Sequence, residues 1–381
     1  MRGSNGFWTI LILLHGFTLT AGTINYSFIE LEQNFLVGNI DFSDNGRYLV
    51  SFAGMVSRVD VETGQVISLD SNVITHLGGA STINGDGGRV AFNGRHITNA
   101  MDGIFVYDFN SSELIPLVES NTASFIVPSI SGDGNRVLFV SDVDLGNNSD
   151  GSQEMFLADI NLNQVFQLTD NAPGPNVITH YPSGINYDGS KVCFNNDIGG
   201  MPPGLYLWEE GGLRMLTDKT ADDPAMSQDG TAIVFSSVNP ETGFHDLYIY
   251  DLLTDTLTLL AEAHNFGTHI PEISGDGQWV TVMSTANFSG QNQASTVYVI
   301  SRQGEVYPLA ESLFFLPPRI SYNGDRILFW QGDFSGGALI LGVRNLTVPL
   351  LSNFGLVFFV LILMAAGILL GSRQRRADPS H

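Results

Sequence analysis

From about residue 35 to about residue 343 the chain is built of short stretches in which apolar and polar positions alternate, each broken by Gly, Asn, Asp or Ser. A period of two, rich in Val, Ile, Phe and Tyr, predicts β-strands rather than helices throughout. Arg136-Val137-Leu138-Phe139 and Val297-Tyr298-Val299-Ile300 are typical strand segments. Between strands stands a recurring tetrapeptide: a small polar residue, a variable residue, Asp or Asn, then Gly. It occurs as Ser43-Asp44-Asn45-Gly46, Asn84-Gly85-Asp86-Gly87, Ser131-Gly132-Asp133-Gly134 and Asn186-Tyr187-Asp188-Gly189. It returns as Ser227-Gln228-Asp229-Gly230, Ser274-Gly275-Asp276-Gly277 and Ser321-Tyr322-Asn323-Gly324.

The glycines of these seven copies are separated by 41, 47, 55, 41, 47 and 47 residues. A strand-rich repeat of that size predicts the blades of a β-propeller. Each repeat divides into four strands. One ends at the small polar residue, as in Ile270-Pro271-Glu272-Ile273-Ser274, and the Asp-Gly or Asn-Gly pair turns a tight hairpin because these residues tolerate positive φ. A second strand follows. The third is aromatic-rich, as in Ile104-Phe105-Val106-Tyr107-Asp108, Leu205-Tyr206-Leu207-Trp208 and Leu247-Tyr248-Ile249-Tyr250-Asp251, and the fourth resembles Gln164-Val165-Phe166-Gln167-Leu168-Thr169. The fold class predicted is all-β, a seven-bladed propeller of four-stranded blades over 23–347. The last blade is short, and a spare strand at about 26–31 is expected to pair into it and close the ring, protecting edges that an open array would expose.

Pro128-Ser129-Ile130-Ser131-Gly132-Asp133-Gly134 and Leu168-Thr169, with the leading prolines Pro224, Pro271 and Pro318, resemble the TolB-like, WD40-like propeller repeats of the PD40 type. Their pattern has proline at the second position of the tetrapeptide; none of the seven copies here does. The resemblance covers about residues 35–343 and implies the fold. It leaves function open, because such propellers serve many roles.

The two ends read differently. Residues 1–22 form a secretory signal, with Arg2 as the basic start, Phe7 to Leu14 as the apolar stretch and Ala21-Gly22 for cleavage. The uncharged stretch 354–371 is long enough to cross a bilayer, and Arg373, Arg375 and Arg376 after it favour a cytoplasmic C-terminus. Val348-Pro349-Leu350-Leu351-Ser352-Asn353-Phe354-Gly355 resembles the Ile-Pro-Thr-Leu-Ser-Glu-Trp-Gly signature of IPTL-type bacterial sorting signals. Val348, Pro349, Leu351, Ser352 and Gly355 carry the match, and Leu350 and Asn353 depart from it. The resemblance spans 348–376, with a tail at 377–381, and implies processing by an exosortase-like enzyme. The expected location is the bacterial cell envelope. The propeller would lie outside the cytoplasm on a single-pass inner-membrane anchor, at least until the C-terminus is processed.

Composition narrows the partners. Between the two ends lie 12 basic and 38 acidic residues, a net charge of −26, which repels nucleic-acid phosphates. A single cysteine, Cys193, permits no intrachain disulfide, so core burial alone must hold the domain.

The connections between second and third strands vary, from about 3 residues after Phe52 to about 11 after Phe92, 14 after Val140 and 13 after Met283 on the strand reading. They share a face with the blade-to-blade connections, and variation on one face of a repeat array marks a binding face. Asp142, Asp144 and Asp150, with Asn147, Asn148 and Glu154, make an oxygen-rich loop suited to Ca²⁺. Without EF-hand spacing, a solvated turn is the favoured reading of that loop. Three Thr-His pairs, ending at His76, His180 and His269, stand 11, 9 and 8 residues before a repeat glycine. If the three imidazoles converged they could hold a transition metal; the plainer reading is a backbone hydrogen bond at each strand start. No hydrolase elbow, zinc-protease, phosphate-loop or dinucleotide motif occurs. The function expected is a non-catalytic binding or protein-interaction module for an envelope protein or glycan, with no cofactor required. The alternatives are a metal-dependent, polysaccharide lyase-like enzyme and a structural envelope protein.

Overall fold

The computed structural model describes residues 18–21, 24–31, 40–52, 55–69, 74–146, 148–171, 184–196, 202–210, 212–264, 270–285, 287–288, 295–311, 317–333 and 336–344. They form seven antiparallel sheets. Blade 1 comprises Ile40–Phe42, Tyr48–Phe52, Val56–Asp60 and Val66–Ser68; blade 2 comprises Ile74–Ile83, Arg89–His96, Asp102–Asp108 and Glu113–Ser120. Blade 3 comprises Phe125–Ile130, Arg136–Ser141, Glu154–Asp159 and Gln164–Gln167; blade 4 comprises Gly184–Ile185, Lys191–Asn196, Gly204–Glu209 and Gly212–Thr217. Blade 5 comprises Asp222–Met226, Ala232–Val238, His245–Asp251 and Thr256–Ala261; blade 6 comprises Ile270–Ile273, Trp279–Ser284, Thr296–Ser301 and Val306–Glu311. Blade 7 takes Arg319–Ile320, Arg326–Asp333 and Gly336–Arg344 from the end of the chain. The first strands contact one another in sequence and the seventh returns to the first, so they surround a common axis.

The tetrapeptides are the first hairpins. In each, the glycine N–H donates to the carbonyl three residues earlier, as Gly46 to Ser43 at 2.8 Å and Gly134 to Ser131 at 2.9 Å. All seven glycines lie in the left-handed region, with φ between 64° and 78°, where a Cβ is strained. The first residue of the motif ties the turn, Ser131 Oγ donating to Asp133 and accepting from Arg136 N.

The aromatic third strands are explained by cross-strand pairs with the second. Phe92–Phe105, Phe139–Phe156, Phe194–Tyr206 and Phe235–Tyr248 are register partners stacked with centroids 5.5–6.0 Å apart. Each adds about 0.5–1.5 kcal/mol beyond area burial. Core clusters lie between neighbouring sheets, as where Val234 and Leu247 of blade 5 meet Val282 and Tyr298 of blade 6. The aspartate ending the third strand serves two neighbours. Asp108 Oδ1 accepts the N–H groups of Asn110 and Ser111 in the next turn, while Oδ2 takes Arg89 Nε at 2.9 Å. Arg89 also reaches the turn carbonyl of Gly134 in blade 3, and Arg136 and Lys191 repeat this reach to Gly189 and Gly230.

The spare strand closes the ring as expected. Ile24–Leu31 runs antiparallel to Gly336–Arg344, from Tyr26 opposite Arg344 to Leu31 opposite Leu339, and becomes the fourth strand of blade 7. Tyr26 is fully buried and its hydroxyl donates to the Gly324 carbonyl at 2.9 Å. Thr18–Ala21, within the segment read as a secretory signal, adds a fifth strand outside it; the rest of 1–22, the segment 354–371 and the sorting motif of Val348, Pro349, Leu351, Ser352 and Gly355 lie outside the described residues. One loop length differs from expectation. The second strand of blade 2 continues to His96, so the connection there is 97–101 and shorter than the sequence suggested, because Arg95 and His96 extend the pairing with Asp102 and with Ile74.

Candidate functional site at the axial mouth

The seven first hairpins share one face of the propeller, and they are joined to one another. Asn45 N–H donates to Gly85 O, Gly85 to Gly132, Asp133 to Tyr187, Tyr187 to Gln228, Asp229 to Gly275, Asp276 to Tyr322, and Tyr322 back to Asp44. These seven bonds, 2.7–3.2 Å long, form a closed backbone circle around the axis. It places the second residue of every tetrapeptide at the axial mouth: Asp44, Gly85, Gly132, Tyr187, Gln228, Gly275 and Tyr322. Three glycines leave room for the larger side chains. A Cβ at Gly132 would meet Gln228 Oε1 and Tyr187 Cδ2, each at 2.5 Å, so Gln228 of blade 5 reaches across to blade 3. A Cβ at Gly85 would lie 2.5 Å from Asp44 Oδ2, and one at Gly275 would collide with the Tyr322 ring.

Two oxygens in this mouth, Asp44 Oδ2 and Gln228 Oε1, are sealed from solvent and have no hydrogen-bond partner among the described residues. Burial, and then the nearby charge of Asp41, pushes the Asp44 carboxyl up to about 7. Asp41 itself is provided for, because its Oδ2 accepts Ile83 N–H and its Oδ1 lies 3.6 Å from Arg319. Arg319 in turn pairs with Glu272, so the one guanidinium on these inner strands is shared by two other carboxylates. Tyr187 and Tyr322 frame the mouth with 51% and 41% of their surface exposed. The Tyr322 phenol is raised by burial and then by Asp229, Asp276 and Asp44, which marks the mouth as negative in potential. A carboxyl as perturbed as that of Asp44, set beside the blade-to-blade circle, makes this a candidate functional site. Sequence reasoning passed over these residues. They occupy the variable position of the motif, and their one visible mark was the missing proline.

The oxygen-rich loop expected from sequence, between the second and third strands of blade 3, falls on the opposite face. Asp142 Oδ1 accepts Ser124 N–H at 2.6 Å, Asp144 Oδ1 accepts Gly146 and Asn148 N–H, and Asp150 Oδ1 accepts both groups of Ser152. Asp144 and Asp150 are thus directed at their own turn, and Asp142 at the segment that leads into the first strand of the blade. Glu154 is wholly buried and takes Ser152 Oγ, Thr169 Oγ1 and Asn171 N–H. Asp246 plays the same part in blade 5, accepting Ala263 N–H. Both carboxylates open a third strand and fasten the chain where it leaves the fourth. Among the described residues no group of three or more His, Cys, Asp or Glu could hold a metal ion. Of the three histidines, His76 lies on the first strand of blade 2 opposite Gly94; His180 and His269 lie outside the described residues.

No protein-family model matches the sequence, and no curated protein matches it. Solved structures do resemble it. An oligogalacturonate lyase from Vibrio parahaemolyticus aligns with a TM-score of 0.60 at 13% identity, over 88% of this chain and 98% of that one. The β-propeller domain of the trilobed protease from Pyrococcus furiosus, described as having an open velcro topology, aligns at 0.52 and 14%, over 89% and 97%. TolB from Acinetobacter baumannii aligns at 0.46 and 14%, over 83% and 86%. Where that protease domain is described as open, this ring is closed by its N-terminal strand. At such identities the likeness is one of architecture alone.

Proposed function

We propose that this chain is an exported propeller that works as a non-catalytic binding and protein-interaction module at a bacterial envelope. The observation that carries the reading is the axial mouth, where a rigid circle holds two unpartnered buried acceptors between two half-exposed tyrosines. A buried acceptor without a donor costs about 1–3 kcal/mol, a cost a bound partner with donors would remove. The envelope location rests on the sequence of the two ends. The net charge of −26 between them keeps nucleic acid away and favours donor-rich or cationic partners.

Capture from envelope extracts, run beside a glycan array, tests the binding role. A specific envelope protein or glycan retained by the wild-type propeller supports it, and turnover of any glycan by the pure protein overturns it. A reporter fused after residue 345 should be active only outside the cytoplasm; cytoplasmic activity refutes export. Replacing Pro349 and Ser352 should trap a larger membrane-bound form if an exosortase-like enzyme processes the chain. An unchanged mass ending at His381 leaves only an anchor.

A further inference from the structure

The two sealed, unpartnered side-chain atoms of the axial mouth, Asp44 Oδ2 and Gln228 Oε1, are both hydrogen-bond acceptors. Seven turn N–H groups, those of Asn45, Gly85, Asp133, Tyr187, Asp229, Asp276 and Tyr322, are consumed by the blade-to-blade circle. What remains is Asp44 Oδ2, Gln228 Oε1 and the faces of Tyr187 and Tyr322, bordered by the turn carboxylates Asp86, Asp133, Asp188, Asp229 and Asp276. Those five carboxylates are tied to their own turns, as Asp133 to Asn135 N–H and Asp229 to Thr231 N–H, so they contribute field rather than a free ligand. A group suited to this mouth carries donors, no acceptor, positive charge and small girth. A primary ammonium has three donors and no acceptor, and an alkylammonium gains from aromatic faces. A divalent cation is a poorer fit, since it calls for six or more oxygens or an octahedral shell, and the Gly132 carbonyl is already taken by Gly85 N–H.

Building on the binding-module reading, we propose that the axial mouth is a receptor for a primary alkylammonium group, held by the carboxylate of Asp44, a residue that keeps some contact with solvent although its Oδ2 is sealed, with Gln228 and the two tyrosines forming its collar. The free carboxylate is the binding form. With Asp44 titrating at about 7, the ionised fraction falls about tenfold from pH 8 to pH 6, and affinity falls with it. Burial sets this first, and then the charge of Asp41 on the strand leading into the turn, itself held by Arg319.

The test is calorimetry on the full chain in detergent and amine-free phosphate buffer. Two probes separate the sources of the ammonium: n-butylamine for a free amine, and Nα-acetyl-lysine methylamide for a protein side chain. Saturable one-to-one binding of either at pH 8 is expected, at least tenfold weaker in Asp44→Asn and about tenfold weaker at pH 6. Gly85→Ala places a methyl 2.5 Å from Oδ2 and should also abolish it. If Gly85→Ala does not fold, as judged by circular dichroism, Asp44→Asn decides alone. No saturable signal at 50 mM probe, equal binding by Asp44→Asn, or displacement by equimolar Ca²⁺ each overturns the proposal. The two readings fail separately. If Asp44→Asn still captures the envelope partner and neither amine binds wild type, the mouth is not the receptor but the module reading stands. If wild type binds the amine yet retains nothing from envelope extracts, it is the module reading that falls.

Discussion

Replacing Asp44 with asparagine should stabilise the propeller at pH 8 and flatten its stability between pH 4 and pH 7. The unfolded carboxyl titrates at 3.8, the folded one at about 7 because it is buried and then because Asp41 lies nearby. Across that window the folded protein holds a proton that the unfolded chain has released, so rising pH favours unfolding. Each pH unit is worth about 1.4 kcal/mol, and a shift of roughly 3 units gives about 4 kcal/mol. The residue as a whole keeps some contact with solvent although Oδ2 is sealed, so about 2 kcal/mol is the better figure after screening. Asparagine occupies nearly the same volume and does not titrate. Urea unfolding followed by tryptophan fluorescence at pH 4.5, 5.5, 6.5 and 8 should show wild type losing about 2 kcal/mol across the series while the variant stays level. A variant less stable than wild type at pH 8, or two parallel curves, would refute the claim that Oδ2 lies desolvated without a donor. Below pH 4 both proteins should weaken together. Asp60, Asp108 and Asp251 feel burial first, but arginine contacts and turn N–H groups outweigh it and hold their carboxyls below 3.8, so their stabilisation is lost as pH falls past that value.

Three further outcomes follow from the closure and the stitching. Tyr26→Ala should cost about 3–5 kcal/mol by denaturant unfolding, whereas Tyr26→Phe, which loses only the bond to Gly324, should cost about 1 kcal/mol. Arg136→Met leaves Asp159 and the Gly189 carbonyl without their shared donor, and its unfolding midpoint should drop by an amount equivalent to about 1–3 kcal/mol. Cys193 is fully buried and its thiol is pushed far above the ordinary range by desolvation. Ellman's reagent should therefore react with it only after unfolding, and fast reaction under native conditions would mean blade 4 opens locally.

What sequence reveals here depends on whether a residue's job is local. The glycine that needs positive φ, the serine that ties its own turn and the aromatic opposite an aromatic on the next strand all act within one blade. Their spacing therefore shows in the chain, and blade count and hairpins could be read from it. The spare strand was legible for a related reason: a blade ending at Val343 lacks a partner that only the N-terminus offers. The axial mouth was not legible. Asp44 and Gly85 become neighbours because seven blades close a circle, and Gln228 reaches Gly132 across an axis that no pairwise pattern encodes. The loop aspartates follow the same rule. Asp144 and Asp150 accept N–H groups of their own loop, as a turn reading of that loop expects, whereas the bond from Ser124 N–H to Asp142 joins segments that only the folded blade brings together.

The pairing of residues 24–31 with 336–344 also sets a timetable for the newborn chain. The bond between Tyr26 and Gly324 spans 298 residues, and the partner strand ends at Arg344. A ribosome adding about 5–20 residues per second needs roughly 15–60 s to supply it. Throughout that interval Ile24–Leu31 waits without its blade 7 neighbour, and blades 1 to 6 form an arc with two raw edges. The arc can be completed only after synthesis has nearly ended, so the ring is a late event and a slow one. An export apparatus that needs an unfolded passenger would find one still unlocked. A truncated product missing blade 7 would keep both edges exposed, ready for a protease or for another arc.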